Sequence, residues 1–461
     1  MVASRVTLMT LLVILTSVIA TQISTQCTNS TFWTTDNRKS GVNYKSVDNF
    51  GLALFKQLPV KNNVLISPVS LWSSLLLSYV GSDRRTARQL QELLDVRMIR
   101  GALEYLDLVE SRRRVIEHKF IINQRTKVYK HIRFHLTSSS RNYLLERLCS
   151  VNFSKTNKTE RSINAFIRVN TYNTITSMTK EIQLWKSLMA LETAGYFKGI
   201  FKYKIKGTCR GNFNGLPRGK REDVEMLWFK TKMKIGVDKK VHATVVKLPY
   251  THKMSLYLLL PTNKGKRGLR KTVNALTTVK LDKIINSMKK HEAEVFLPKF
   301  RIKKKYEEDI VPYVKRLGAE QMFDRSLADF TNFARGLYMN VFKHKTIIVI
   351  NEEKTTAGMA SSIQINPKSN KDIPDSPAGY DDTIPSISPM IPMDTYDNIT
   401  HYDGTGNMEC RHDVNTSKVH RAVDMDDCDF CVSFDRPFVF ILGDNHRVIH
   451  QIGILVSPRK I

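Results

Sequence analysis

Cysteine is scarce in this sequence, with six in 461 residues, and there are only 15 prolines and 21 glycines. So few half-cystines exclude a small disulfide scaffold, and so little glycine and proline exclude a collagen-like chain. The composition does not fit a coiled coil, and no internal repeat recurs. Beyond the first twenty residues no apolar run is long enough for a membrane-spanning helix. Acidic residues are also short: 43 Asp and Glu face 72 Lys and Arg, a formal net charge of +29. Such an excess points to anionic partners, whether nucleic acid, glycosaminoglycan or a membrane surface. What is present suffices for a sizeable core, since 42% of the residues are hydrophobic and 25% charged. The length allows up to three average domains, or one large domain with decoration.

The N-terminus narrows the partners. Met1–Arg5 carries one positive charge, Val6–Ala20 is apolar and uncharged, and Val18-Ile19-Ala20 offers small or branched residues at a cleavage site. That is the anatomy of a secretory signal peptide, residues 1–20, followed by an N-terminal extension over 21–47. The alternative is a retained signal anchor, but about fifteen apolar residues fall short of the roughly 20 that a spanning helix needs. Secretion makes disulfides permissible and nuclear nucleic-acid work an unfitting role. It also makes the sequons at Asn29, Asn152, Asn157, Asn398 and Asn415 candidate glycosylation sites.

From about Asp48 to Val349 helical and strand patterns alternate without a linker. Asn49–Phe55 has helical apolar spacing. Val64–Val80 is a long apolar stretch in which Ser67-Pro68 signals a helix start and Gly81 an end. Val245–Pro249, Met254–Leu260, Glu294–Ile302 and Thr346–Ile350 read as strands. Residues 366–431 depart from this pattern, with 13 acidic residues against 5 basic, a net of −8. Apolar strands return at Asp435–Ile441 and Val448–Val456, so the acidic stretch is an excursion from a single domain over 48–461.

Several motifs together resemble the serpin family. They are Asn63-Val64-Leu65-Ile66-Ser67-Pro68-Val69-Ser70 with Gly81, then Leu248-Pro249-Tyr250 with Leu259-Leu260-Pro261, and Leu297-Pro298-Lys299-Phe300. Leu317-Gly318-Ala319, Phe323, Ala328-Asp329-Phe330, Asn351-Glu352-Glu353, Asp435-Arg436-Pro437-Phe438, Gly453 and Pro458 follow in the family's order. The resemblance implies an α+β fold of three β-sheets and about nine helices, with an exposed, extended reactive-centre loop over 354–431. It implies suicide inhibition of serine proteases: the protease forms a covalent acyl complex at the loop, which then enters the large sheet as a strand.

A strand entering a sheet sends alternate side chains to opposite faces. In the serpin register that the resemblance implies, Glu352 opens the loop and its hinge runs through Glu353, Lys354, Thr355, Thr356 and Ala357. Thr355, Ala357, Met359, Ser361, Ile363 and Ile365 should face inward; Thr356, Gly358, Ala360, Ser362, Gln364 and Asn366 outward. The first set is small or apolar and the second small or polar, as insertion requires. The same register puts the reactive bond at Lys368-Ser369, a basic residue suited to trypsin-like proteases. Lys371, Arg411, Lys418 and Arg421 are rivals, but cutting so far downstream leaves too much slack to distort a protease.

Two positions depart from the family. Lys354 stands where most inhibitory members have a hinge glycine, and Thr193 where an Asn helps hold the sheet's opening region. Ser67, Ser70 and His344 of that cluster remain, with His344 read as a satisfied buried histidine. Arg112, Arg113, Arg114, His118, Lys119, Arg125, Lys127, Lys130 and Arg133 crowd a region where several serpins bind heparin-like polysaccharide. The alternative is a merely solvated basic face. Cys410, Cys428 and Cys431 with His412 and His420 could suggest zinc, but in a secreted chain disulfides fit better. With Cys27, Cys149 and Cys209 the pairing stays open. No metal or cofactor is expected. No nucleophile elbow or phosphate-cradling loop is found, so no enzyme is read here.

Overall fold

The computed structural model describes residues 45–458 apart from 113–114, 118, 217–220, 308, 370–428 and 445–447. The signal segment, residues 21–44 of the extension and most of the acidic excursion lie outside the described residues.

Helix α1 (Ser46–Gln57) buries Val47, Phe50, Leu54 and Phe55. In α2 (Pro68–Gly81) the Ser67 hydroxyl caps the first turn by accepting the Ser70 N–H, and Pro68 sits where no N–H is needed. Every residue of α2 is buried, so its apolar run shows no solvent-facing stripe. The helix ends at Gly81, but not through a left-handed cap. The ring of Phe333 lies where a Cβ would come within 2.0 Å, so close packing is what requires glycine there. The other helices are α3 (Arg84–Leu94), α4 (Ile99–Arg112), α5 (Ser138–Leu144), α6 (Thr156–Asn170), α7 (Gly265–Ala275), α8 (Thr278–Ser287) and α9 (Val311–Arg316). That makes nine among the described residues.

The strands begin with β1 (Val64–Ile66), β2 (Val115–Glu117), β3 (Phe120–His131), β4 (Leu148–Val151), β5 (Met189–Gly199), β6 (Gly207–Asn214) and β7 (Arg221–Asp238). Then come β8 (Ala243–Pro249), β9 (Met254–Pro261), β10 (Lys289–Pro298), β11 (Phe300–Tyr306) and β12 (Leu337–Ile350). The last four are β13 (Thr355–Pro367), β14 (Phe430–Ser433), β15 (Phe438–Asp444) and β16 (Ile449–Leu455). One sheet runs β1-β16-β15-β9-β8-β7-β10-β14 with β6 beside β7. The other runs β11-β12-β13-β5-β3-β2 with β4 beside β3.

Three differences from expectation stand out. The three expected sheets are two hydrogen-bonded sheets among the described residues, because β7 pairs with β6, β8 and β10 and joins two sets of strands. Glu294–Ile302 is not one strand: the chain leaves the first sheet at Pro298 and enters the second at Phe300, with the Lys299 N–H donating to the Glu225 carbonyl between them. The largest difference concerns the loop. Its first part is not exposed: β13 is a central strand, antiparallel to β12 on one side and β5 on the other. At the far end Phe430 and Cys431 belong to β14, which pairs in parallel with β10.

One apolar core lies among α1, α2 and the two sheets, and a second is centred on Phe197, Phe229, Tyr250, Phe300, Phe434 and Phe440. Among the described residues no helix is long and apolar enough to cross a membrane.

Candidate functional site

The turn into β13 is closed by Asn351. Its side-chain oxygen accepts the backbone N–H groups of Glu353 (3.1 Å) and Lys354 (2.9 Å). Lys354 has no left-handed backbone here, its side chain is 41% exposed, and its ammonium stands 3.7 Å from Glu353. Glu352 instead meets Lys299, at 2.9 Å, and Lys299 also reaches Glu225 at 2.6 Å. Burial disfavours the Lys299 charge, but hydrogen bonds to the two carboxylates outweigh it and raise its pKa. Burial likewise pushes Glu352 up, but the Lys299 hydrogen bond, a backbone hydrogen bond and the Lys299 charge together more than reverse this. At the strand's first residue the Tyr250 hydroxyl donates to the Thr355 hydroxyl (2.9 Å), which is fully buried. Burial pushes the Tyr250 phenol up, so it stays a neutral donor. The Leu248-Pro249-Tyr250 motif thus ends on a side chain that meets the hinge.

Thr355, Ala357, Met359, Ser361, Ile363 and Ile365 are all buried on the face toward α2. The opposite face is buried as well, apart from half-buried Thr356, because α6 and the segment after it cover the sheet. A Cβ on Gly358 would come within 2.2 Å of the Thr174 hydroxyl, and Ala360 packs with Ile167, Ile175 and Met178. Small residues are needed on this face because a helical layer lies directly on it.

On the α2 side the four cluster residues meet. The Ser67 N–H donates to His344 Nε2 (3.0 Å), so the ring proton sits on Nδ1, facing the Ala360 carbonyl (3.0 Å) and the Ser361 hydroxyl (2.9 Å). Burial drives His344 down to about 3, partly offset by the Ala360 carbonyl, so the ring is neutral. The Ser70 hydroxyl is 2.8 Å from that of Thr193 and 2.9 Å from that of Ser361, and Ser74 closes the group at 3.0 Å from Thr193. The Thr193 hydroxyl also donates to the Ser70 carbonyl (3.1 Å). Threonine therefore bridges α2 and β13 with one hydroxyl. Ser74 and the bridging role of Ser361 escaped the sequence reading; the one available signal was Ser74 lying one helical turn beyond Ser70.

The α6 side contains a pair that sequence reasoning missed entirely. Glu192 on β5 and Lys343 on β12 both lie opposite Ser362 of β13, one on each flank. Glu192 is fully buried and accepts the Ser362 hydroxyl at 2.7 Å, while its second oxygen has no hydrogen-bond partner. Burial raises Glu192 to about 8, with the Ser362 hydroxyl and the Lys343 charge pulling weakly the other way. Lys343 is 2% exposed, lowered chiefly by burial, and donates to Gln183.

Beyond Pro367, the Lys368 N–H donates to the Gly336 carbonyl (2.7 Å) and its ammonium to the Ser326 carbonyl (2.9 Å). The Lys368 carbonyl accepts both Nε (2.7 Å) and Nη2 of Arg325. Ser369 is the last described residue before the gap.

Among the described residues the basic candidates are spread along β3. Arg113, Arg114 and His118 lie outside the described residues, and Arg112 ends α4. Lys119 and Arg133 are exposed near opposite ends of β3. Arg125 and Lys127 share a face of β3, on which Arg125 donates to the Glu110 carbonyl (3.3 Å) and Lys127 lies over the Tyr129 and Phe166 rings. Lys130 has the other parity and donates to the Phe134 carbonyl (2.9 Å). Of the sequons, Asn152 is half-buried and accepts the Ser154 N–H (2.9 Å), and Asn157 is exposed in the first turn of α6. Asn29, Asn398 and Asn415 fall outside the described residues, as do Cys27, Cys410 and Cys428, the two histidines between the late cysteines, and the rival basic residues.

Among known proteins, the chain is 25% identical over 347 residues to serine protease inhibitor 88Ea of Drosophila melanogaster, covering 69% of this chain and 80% of that one. It is 28% identical over 332 residues to the leukocyte elastase inhibitor of Sus scrofa, covering 68% and 86%. In structure it resembles cleaved Serpin 42Da, with a TM-score of 0.71 at 19% identity over 90% of this chain and 98% of the other. A loop-inserted, cleaved ovalbumin mutant gives 0.69 at 16% identity over 90% and 99%. The family model described as Serpin (serine protease inhibitor) matches residues 45–458.

Proposed function

This chain belongs to the serpin family, and from that premise we propose that it is a secreted inhibitor of trypsin-like serine proteases. It acts as a suicide substrate: the protease acylates Lys368 at the Lys368-Ser369 bond, and the strand behind it seats in the sheet. The observation that carries this reading is β13, whose residues pair with both β12 and β5 and which stops one residue short of the basic bait. Each inward side chain is buried and the hydroxyl cluster is completed by Ser361, so the sheet has a fitted place for the strand. Secretion rests on residues 1–20, with glycans and disulfides as its companions. The test mixes the full chain with trypsin-like proteases and looks for a covalent complex that survives SDS. Cleavage across a broad panel without any complex would sink the reading.

One observation favours a second reading, a non-inhibitory secreted serpin that works as a binding module for a polyanion or a host-defence or complement protein. In one uncut chain β13 lies in its sheet while β14 keeps its ladder to β10. Residues 370–428 between them can extend by roughly 3.3 Å each, several times the length of β13, so insertion does not demand cleavage. A chain already inserted stores no strain to drive protease capture. Thermal unfolding before and after cutting at Lys368 separates the two: a large rise supports the inhibitor, and an unchanged midpoint supports the binding module. For a heparin-like partner, elution from heparin should need more salt than from a cation exchanger of matched charge, and replacing Arg112, Arg113 and Arg114 should remove the excess.

A further inference from the structure

All three polar groups of Lys368 are held by one stretch of chain, residues 325–336. Gly336, at the entrance to β12, takes the backbone N–H, Ser326 takes the ammonium, and Arg325 gives two N–H groups to the carbonyl oxygen. The stretch is itself braced. The Asp324 carboxylate accepts the N–H of Ser326 (2.8 Å), its hydroxyl (2.6 Å) and the N–H of Leu327 (3.0 Å). These bonds, led by the Ser326 hydroxyl, hold the Asp324 carboxyl below the usual range. The turn therefore presents the Ser326 carbonyl and the Arg325 side chain at the edge where β13 ends.

The chemistry of Lys368 gives this arrangement a meaning. In the proposed reaction the protease serine oxygen bonds to the Lys368 carbonyl carbon, and the bond to the Ser369 nitrogen breaks. The serine proton passes through the protease's own base to the departing amine. The resulting ester is hydrolysed only if its carbonyl oxygen lies in the protease's oxyanion hole while water attacks. Seating β13 carries that same oxygen to Arg325. A guanidinium donating two N–H groups to one oxygen is a strong, charge-assisted partner with fixed geometry.

Resting on the inhibitory reading, we propose that Arg325 captures the ester carbonyl oxygen of Lys368 after the strand has seated and withholds it from the protease's oxyanion hole. Capture prolongs the trapped state. Lysine at 368 suits the site twice, once for the protease and once for the Ser326 carbonyl that receives its ammonium.

The experiment uses the full chain, a trypsin-like protease, and the variants Arg325→Ala and Arg325→Lys. Two rates are followed: formation of the SDS-resistant complex, and return of protease activity from the purified complex. Loss of a charge-assisted pair should shorten the lifetime of the Arg325→Ala complex by about tenfold, well beyond any fall in its rate of formation. Arg325→Lys, with a single point donor in place of the fork, should fall between the two. A lifetime that ignores both substitutions, or a formation rate that drops as far as the lifetime, overturns the capture. Arg325→Lys also serves as the reporter if Arg325→Ala fails to fold. No complex with the unaltered chain sinks the inhibitory reading and the capture together, so the two failures are told apart.

Discussion

The two faces of β13 are both buried, yet their chemistry differs. Toward α2, Ala357, Met359, Ile363 and Ile365 pack into the main cores, and Ser361 completes a hydroxyl and imidazole cluster whose members all find partners. Toward α6, Gly358 and Ala360 make room for a helical layer, while Ser362, Gln364 and Asn366 bring polar groups under it. There the Gln364 amide and one Glu192 oxygen have no hydrogen-bond partner. An unpaired buried polar group costs about 1–3 kcal/mol, so the α6 side holds the strand less firmly. The α2 side therefore supplies the better satisfied polar contacts to β13.

The largest expected effect tests that asymmetry at two adjacent residues. Thr355→Arg places an unpaired charge where Tyr250 now donates to a fully buried hydroxyl. It should abolish the SDS-resistant complex and leave a plain protease substrate. Thr356→Arg, on the half-buried outer side, should keep most of the complex. Equal loss in both would erase the distinction between the faces.

Next in size is Ile363→Ala. Ile363 is fully buried in the main core, and its truncation should destabilise the fold by about 2–5 kcal/mol in denaturant unfolding. Ala360→Gly, on the other face, removes a single methyl and should cost about 1 kcal/mol or less.

The faces also differ in how they titrate. Glu192 is raised from 4.5 to about 8, so the folded chain keeps a proton that the unfolded chain releases. Stability contributed at this site is present below about pH 4.5 and lost as pH rises toward 8. His344 is lowered from 6.5 to about 3, so the unfolded chain takes up a proton first. Stability there is present above about pH 6.5 and lost as pH falls toward 3. Glu192→Gln should flatten the alkaline limb of the stability profile and leave the acid limb intact. An unchanged alkaline limb would remove Glu192 from the account.

The smallest effect is expected at Lys354→Gly. Lys354 has no left-handed backbone and keeps its side chain partly exposed, so glycine relieves no strain in this structure. It should destabilise the fold by about 0.5–1 kcal/mol through unfolded-state entropy, read in denaturant unfolding.

Much of this was legible along the chain. Ser67-Pro68 marked the start of α2 because a side-chain cap and a proline in the first turn are local events. The alternation from Thr355 to Ile365 named the α2 face of β13, since a period of two needs no knowledge of neighbours. Other features depend on what lies across a gap in sequence. Gly81 looked like a helix cap and proved to be room for Phe333. The basic residues of β3 looked like one patch, yet strand parity and local hydrogen bonds divide them. Glu192, Ser362 and Lys343 are far apart in the chain and meet only because β13 lies between β5 and β12. The sequence by itself determined the caps, the strand pattern and the basic residue at the end of β13. Only the tertiary structure decided that the α6 face is covered, that a carboxyl is buried beneath it, and that Arg325 reaches the Lys368 carbonyl. Capping and alternation act over a few residues, whereas burial and pairing follow from which strands and helices are brought together.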